Sequence, residues 1–421
     1  MSKASPFLDP LYGESTLSDT LDALARQPVM QRLRQIRLSN IDSLGMPGIA
    51  NVSRYEHSAG TAILAAKVGF SKGLSHSERI ILEAAALLHD SAIPPFGHLV
   101  EEMFEYASAG VKHEERWSQL LGAPESQELG GLDLQIFQGR QAGLVPWAKK
   151  TFRERSQASL KEILDTIQGR GKFGRCICGD LDLDNLDNVT RAAFHMGLPT
   201  DKSLPMKIAE SMIGLDPVKG VTFAGGSGEL ILEWLKTRKQ VYERFMLCRA
   251  DFVGKIMLIF AAILAYKRGY FTVRDWVLTD SEFINKLSTC KDKEVSGPVS
   301  SWLCNELWPL SELFWMQGDA PTYSHISEFS DVVSNQLERT CFVYRIKDKR
   351  TRELRIHFDD GGDIKLGRKS EQWLLGVGSS LRESFTDAEN KHLLDSACQF
   401  FSTEAVGKGN RDEAPTLSLF Q

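Results

Sequence analysis

Residues 75–98 read SHSERIILEAAALLHDSAIPPFGH, and this stretch decides the fold. Ser75 to Glu78 has the S-x-x-E form of a capping box, in which serine and glutamate satisfy free backbone N–H groups at a helix start. Arg79 to His89 then carries apolar and alanine side chains on nearly every face, the mark of a core helix. The run closes on His89-Asp90. Two polar groups at the end of a buried helix must be paired or metal-bound to escape a desolvation penalty. Neighbours on a helix diverge by about 100°, yet at a terminus both can reach one ion.

Three further segments put ligand-type side chains where core residues belong. Arg54-Tyr55-Glu56-His57-Ser58 opens an apolar helix that runs on through Ala59, Ile63, Leu64, Ala66 and Val68. Pro94-Pro95-Phe96-Gly97-His98 is followed by Glu101, and Gly179 to Asn188 reads GDLDLDNLDN. A lone histidine on an apolar helix is usually a satisfied core residue, so the signal lies in the combination. A set of imidazoles and carboxylates suits Mn, Fe, Ni, Co or Zn and tolerates Mg. Such an ion keeps open positions for water and a phosphate oxygen. His98 and Glu101 stand at i and i+3, so the carboxylate can orient the imidazole as an acid–base catalyst requires. The spacing alone equally fits a surface His–Glu pair; beside His89-Asp90 it reads as functional.

The chain has 421 residues, 42% of them hydrophobic and 25% charged, ordinary for a soluble globular protein. A net charge of −5 argues mildly against a dedicated nucleic-acid binder, but not against a nucleotide enzyme with a local basic pocket. The 7 cysteines include a C-x-C pair, Cys176 and Cys178, with no second pair at zinc-ribbon distance, so they read as reduced cysteines of a cytoplasmic protein. The N-terminus lacks a signal-peptide pattern, and the longest apolar stretch, Ile256 to Ala265, is too short for a bilayer. No membrane partner is expected.

Helical patterns also cover roughly 18–36, 98–108, 113–121, 145–168, 183–196, 227–268 and 280–288. The character changes after Ser296: Thr340 to Phe358 alternates around a charged turn and reads as a hairpin. Trp373 to Val377 adds a strand and Thr386 to Phe401 a helix. The expected fold is mainly α: an all-helical core over 1–290 and a smaller α+β region over 291–421 for assembly, regulation or a lid, with a frayed tail after about 408.

The combination H…HD…D resembles the HD superfamily of metal-dependent phosphohydrolases. The closer likeness is to the branch of bacterial dGTP triphosphohydrolases and the vertebrate HD-domain dNTP triphosphohydrolase. Asp9-Pro10-Leu11-Tyr12-Gly13 and Gln31 to Ile36 resemble the opening of that branch, and Arg54 to His57, Leu88 to His98 and Leu181 to Arg191 its central segments. Arg238 to Tyr242 and Trp276 to Leu287 resemble later ones, so the likeness spans roughly 8–290. It implies an all-helical HD core and one divalent metal ion on His57, His89, Asp90 and Asp184. It implies His98 and Glu101 as the catalytic pair, with His113 near the phosphates. Arg54 is then a phosphate contact, and Asn185, Asn188, Arg238 and Tyr242 fall at substrate-binding positions. It also implies a homo-oligomer, by analogy alone.

The departures concern the sugar. Asn188 and Ala192 stand where relatives have a tyrosine and an aspartate, Asn185 where some have lysine, and Ile93 where some have histidine. Three readings follow. The leading one is hydrolysis of a nucleotide, with dNTP converted to deoxynucleoside and triphosphate. The second is an HD-type nuclease or phosphodiesterase on DNA or RNA, with the basic run Lys149 to Arg155 along a single strand. The third is a non-catalytic nucleotide-sensing scaffold.

Overall fold

The computed structural model describes residues 6–107, 144–216 and 220–409. His113, the helix pattern over 113–121 and the end of the expected tail lie outside them. The chain is mainly helical, with smaller sheets concentrated toward its C-terminal part.

Six helices position the site: α1 (Arg54–Ser71), α2 (His76–Leu88), α3 (His98–Tyr106), α4 (Leu183–His195), α5 (Gly228–Leu247) and α6 (Arg249–Lys267). The capping box of α2 forms as expected: Ser75 N donates to Glu78 Oε2 at 3.0 Å, and Glu78 N to Ser75 Oγ at 3.4 Å. Every residue from Ile80 to Leu88 is buried. The pattern read over 227–268 is two helices, because Cys248 leaves helical geometry at φ −72°, ψ 100°. That over 18–36 is cut at Gln27, before Pro28.

The core falls into two apolar clusters. The first is built from α1, α2, α4 and the chain before them. The second centres on α6, with Leu99, Val100, Met103 and Phe104 of α3 and the C-terminal strands packed around it. Tyr242 of α5 touches both.

The strands are β1 (Pro6–Asp9), β2 (Gly13–Thr16), β3 (Met212–Asp216), β4 (Gly220–Phe223), β5 (Phe314–Gln317), β6 (Cys341–Lys347), β7 (Leu354–Phe358), β8 (Asp363–Leu366), β9 (Gln372–Ser379) and β10 (Ala405–Lys408). β1 and β2 form a hairpin, and one four-stranded sheet runs β10-β5-β9-β6. The other runs β3-β4-β7-β8, with β4 and β7 parallel, so strands from either side of residue 290 share a sheet.

The expected hairpin over Thr340 to Phe358 is a correction. Its two strands exist but enter different sheets, β6 pairing β9 and β7 pairing β8. The turn between them is pulled outward by the buried Asp348, which accepts from Arg350 N at 2.9 Å, Arg350 Nε at 3.0 Å and Ser370 Oγ at 2.7 Å. A hairpin would also forfeit the pairing that buries Trp373 to Val377 against β6.

Candidate metal centre

α1 delivers His57 from its first turn, α2 ends on His89 with Asp90 one residue beyond, and α4 offers Asp184 from its own first turn. The ligand atoms of His57, His89 and Asp90 lie within 4.8 Å of one another, and all three residues are buried. His57 Nε2 stands 3.2 Å from His89 Nε2 and 3.0 Å from Asp184 Oδ1, while His89 Nε2 is 3.6 Å from that oxygen. Two donors bound at right angles to one ion at about 2.1 Å are about 3 Å apart. The set therefore fits a divalent cation in spacing and in chemistry. Burial alone would lower the His57 imidazole, but the Asp184 and Asp187 carboxylates outweigh it and hold it at about 10. Burial pushes the Asp90 carboxyl up; Arg54, His89 and His57 override it and hold it well below the ordinary carboxylate range. These are the charges that a cation on the same atoms would balance.

Each imidazole is fixed through its other nitrogen, as metal-ligating histidines usually are. His89 Nδ1 meets the Ala86 carbonyl at 2.8 Å and His57 Nδ1 meets Asp187 Oδ1 at 2.7 Å. Asp187 accepts from Arg191 Nε at 2.9 Å, from Arg191 Nη2 at 2.8 Å and from the Tyr12 hydroxyl at 2.8 Å. The fully buried Arg191 goes on to Asp9 at 2.9 Å and Glu56 at 2.6 Å. Burial raises the Asp187 carboxyl, and Arg191 overrides it and holds the group at about 2. Helices α1 and α4 approach closely at Gly60, where an added Cβ would stand 2.2 Å from both Arg191 Nη2 and Asp187 Oδ2. Asp9, Tyr12, Glu56, Asp187 and Arg191 were not foreseen in this role. The sequence carried them only as members of the segments Asp9–Gly13, Arg54–His57 and Leu181–Arg191, with Asp187 and Arg191 one and two turns after Asp184.

The loop that carries Asp90 to His98 is clamped. Buried Arg32 donates to the carbonyls of Ile93, Trp276, Val277 and Leu278 at 2.7–3.1 Å. Phe96 sits at φ 54°, sparsely allowed for such a residue, with its N–H held by Asp280 at 2.7 Å. Gly97 at φ 55° is needed twice over, since a Cβ would lie 2.2 Å from Asn40 Oδ1 and 2.4 Å from Arg54 Nη2. His98 then opens α3, its Nδ1 2.7 Å from Glu101 Oε2, with a half-exposed side chain beside a buried carboxylate.

One cleft of about 240 Å3 joins these parts. Arg54, Asp90, His98, Asp184, Asn185, Asn188 and Tyr242 all line it. Arg54 is committed at the metal end, donating to Asp90 Oδ2 at 2.5 Å and Asn40 Oδ1 at 2.6 Å. Asn185 gives its Nδ2 to Asp182, the cap of α4, at 2.8 Å. Arg238 is not among the lining residues; its guanidinium stacks 4.2 Å from the Tyr242 ring centroid. The basic run at 149–155 does not line the cleft either, and Phe152 packs on Trp147 at 5.7 Å. All seven cysteines are free thiols, buried at 176 and exposed at 178. No helix among the described residues is long and apolar enough to cross a membrane.

Residues 54–136 match the HD domain family. The chain is 26% identical over 229 residues to the uncharacterized protein MJ1154 of Methanocaldococcus jannaschii, covering 54% of this chain and 40% of that one. It is 31% identical over 113 residues to the uncharacterized protein YdhJ of Bacillus subtilis, covering 27% of this chain and 32% of that one. The aligned part thus spans less than half the length of either relative. His57, His89 and Asp90 fall inside the matched segment, and Asp184 reaches the same place from outside it. The segment that builds this His–His–Asp site is thus the one that matches the HD domain, a domain of metal-dependent hydrolases.

Proposed function

We propose that the chain hydrolyses a nucleotide, as a (deoxy)nucleoside triphosphate triphosphohydrolase releasing the (deoxy)nucleoside and triphosphate. One observation carries this reading: a single cleft brings His98 and the polar side chains of Asn185, Asn188 and Tyr242 to the carboxylates of Asp90 and Asp184. His57, His89 and Asp90, with Asp184 as fourth ligand, would hold one divalent ion, which supplies Lewis acidity and a more acidic water. Asp187 and the Ala86 carbonyl orient the two imidazoles. Arg54 keeps the Asp90 carboxylate ionised and turned to the site. His98, its Nδ1 held by Glu101 and its side chain lining the cleft, would carry a proton to or from the reacting oxygen. Asn188 and Tyr242 face the rest of the nucleotide, while Ala192 is buried and takes no part. As parts of the same reading, the chain works as a cytoplasmic homo-oligomer, which light scattering of the purified protein tests.

The decisive experiment incubates the protein with Mn and a panel of dNTPs, NTPs, cyclic nucleotides and single-stranded DNA and RNA, and resolves the products. Triphosphate released from a dNTP or NTP, and lost in Asp90→Ala, is the expected result. Shortened oligonucleotides with intact triphosphates would replace this reading with the nuclease. No turnover and no bound metal would leave the scaffold.

A further inference from the structure

The wall of the cleft is completed by the C-terminal region. Tyr344 and Ile346 of β6 and Lys349 beyond it line the cleft together with Lys255 of α6 and Glu102 of α3. Lys255 is the sole charged residue between Phe252 and Ala265, in a helix buried along most of its length. An ammonium in such a setting is costly unless something answers it. Neither nearby carboxylate makes an ion pair with it among the described residues, although Asp251 Oδ2 is itself buried without a hydrogen-bond partner. Asp251 accepts from Ser43 at 2.9 Å, and Glu102 accepts the Tyr344 hydroxyl at 2.6 Å. Lys255 has no hydrogen bond or ion pair among the described residues. Burial holds its ammonium below the ordinary lysine range; Asp251 and Glu102 oppose that, and Lys349 adds to it.

Lys349 is set in a rigid frame. Its neighbour Asp348 is buried, donates its N–H to Gln372 at 3.0 Å and accepts from Ser370 and Arg350. The Arg350 guanidinium lies 3.9 Å from the Trp315 ring centroid. Between these fixed neighbours Lys349 is exposed and, among the described residues, unpaired. Among the described residues the cleft therefore holds two ammonium groups without an ion-pair partner, beside a Glu102 carboxylate that accepts the Tyr344 hydroxyl. Arg54 is already engaged by Asp90 and Asn40 through both terminal nitrogens, leaving its buried Nε without a partner.

We propose that Lys255 and Lys349 form an anion subsite for a second, non-reacting phosphate group, which selects nucleoside polyphosphates and makes the C-terminal region part of the catalytic cleft. The proposal rests on the phosphohydrolase reading for the reacting phosphate. A nucleic-acid strand fits less well, since the cleft is about 240 Å3 and the basic run at 149–155 does not line it.

The test is calorimetric titration of the full chain, with Mn added, by inorganic tripolyphosphate and separately by orthophosphate. Lys255→Met and Lys349→Met should each weaken tripolyphosphate by about tenfold or more, leaving orthophosphate and Mn binding unchanged, and Lys255→Arg should restore most of the loss. Tripolyphosphate binding unchanged in both methionine variants overturns the subsite. Equal losses for orthophosphate also overturn it, because the lysines then act as a general attraction. So does a hexathymidylate whose binding depends on the lysines while that of tripolyphosphate does not. Thermal unfolding checks the fold, and Lys349→Met, on an exposed position, decides alone if Lys255→Met fails to fold. The same titration without Mn separates the two proposals. A lysine-dependent tripolyphosphate signal there supports the subsite even where the metal-dependent hydrolysis fails.

Discussion

On the side of the cleft built from the first core, each ligand side chain is answered. His57 has Asp187, His89 has the Ala86 carbonyl, and Asp90 has Arg54. On the side built from the second core, Lys255 and Lys349 are unpaired among the described residues and His98 is half exposed. The first side is prepaid with buried hydrogen bonds and ion pairs, so its geometry exists before any ligand arrives. The second side is left to be completed by what binds. On the proposed reading, metal ligation and substrate recognition fall to different cores of one molecule, and their responses to mutation should differ in kind.

The largest effect is expected at Arg191. Arg191→Met leaves Asp9 and Asp187 buried without their cation, which should cost roughly 3–5 kcal/mol, read as a lower midpoint in denaturant together with loss of bound metal. A variant that unfolds at the wild-type midpoint would break the comparison. Gly60→Ala tests the same network by sterics, since its Cβ would meet Arg191 Nη2 and Asp187 Oδ2, and the same two readouts should fall.

On the other side, His98→Gln and Glu101→Gln should lower kcat by about 10²–10⁴-fold and leave metal content in place, with stability changed by less than about 1 kcal/mol for the half-exposed histidine. Loss of metal in His98→Gln would show that the two sides are not separate. Gly97→Ala lies on the border, as its Cβ would meet both Asn40 and Arg54. A lower kcat with Asp90 still holding metal would place it with the second side.

The smallest effect sharpens the first side. Glu83 is buried in α2, and burial, opposed in part by Arg79, pushes its carboxyl up to about 7. A raised folded-state pKa favours the native state at low pH, and that contribution is lost as pH rises from about 4.5 through about 7. Glu83→Gln should therefore resemble wild type at pH 5 and be the more stable by roughly 2–3 kcal/mol at pH 8. Equal unfolding midpoints at pH 8 would show that Glu83 finds water or a cation when charged.

The helical core and the His89-Asp90 pair were legible because their signals are local, while His57 came in through the family resemblance. A capping box, an apolar run and a His-Asp pair at its end all lie within residues 75–90. The network behind them was not legible, because Arg191 meets Asp9 across 182 positions and nothing in either segment announces the other. The hairpin over 340–358 was misread for a related reason. Alternation marks a strand, but the choice between the near partner and β9 is decided by what Trp373 to Val377 bury and by where Asp348 turns the chain. The charged turn that looked like hairpin punctuation carries Lys349 to the cleft.

Arg32 grips the Asp90–His98 loop through the Ile93 carbonyl and ties it to the carbonyls of Trp276, Val277 and Leu278, and a carbonyl is the same whatever residue bears it. The grip itself does not read the Ile93 side chain, which is instead held by its full burial in the core. The loop's course is therefore set from outside it, by Arg32 and Asp280, while Gly97 and the buried Ile93 and Phe96 constrain its sequence as well.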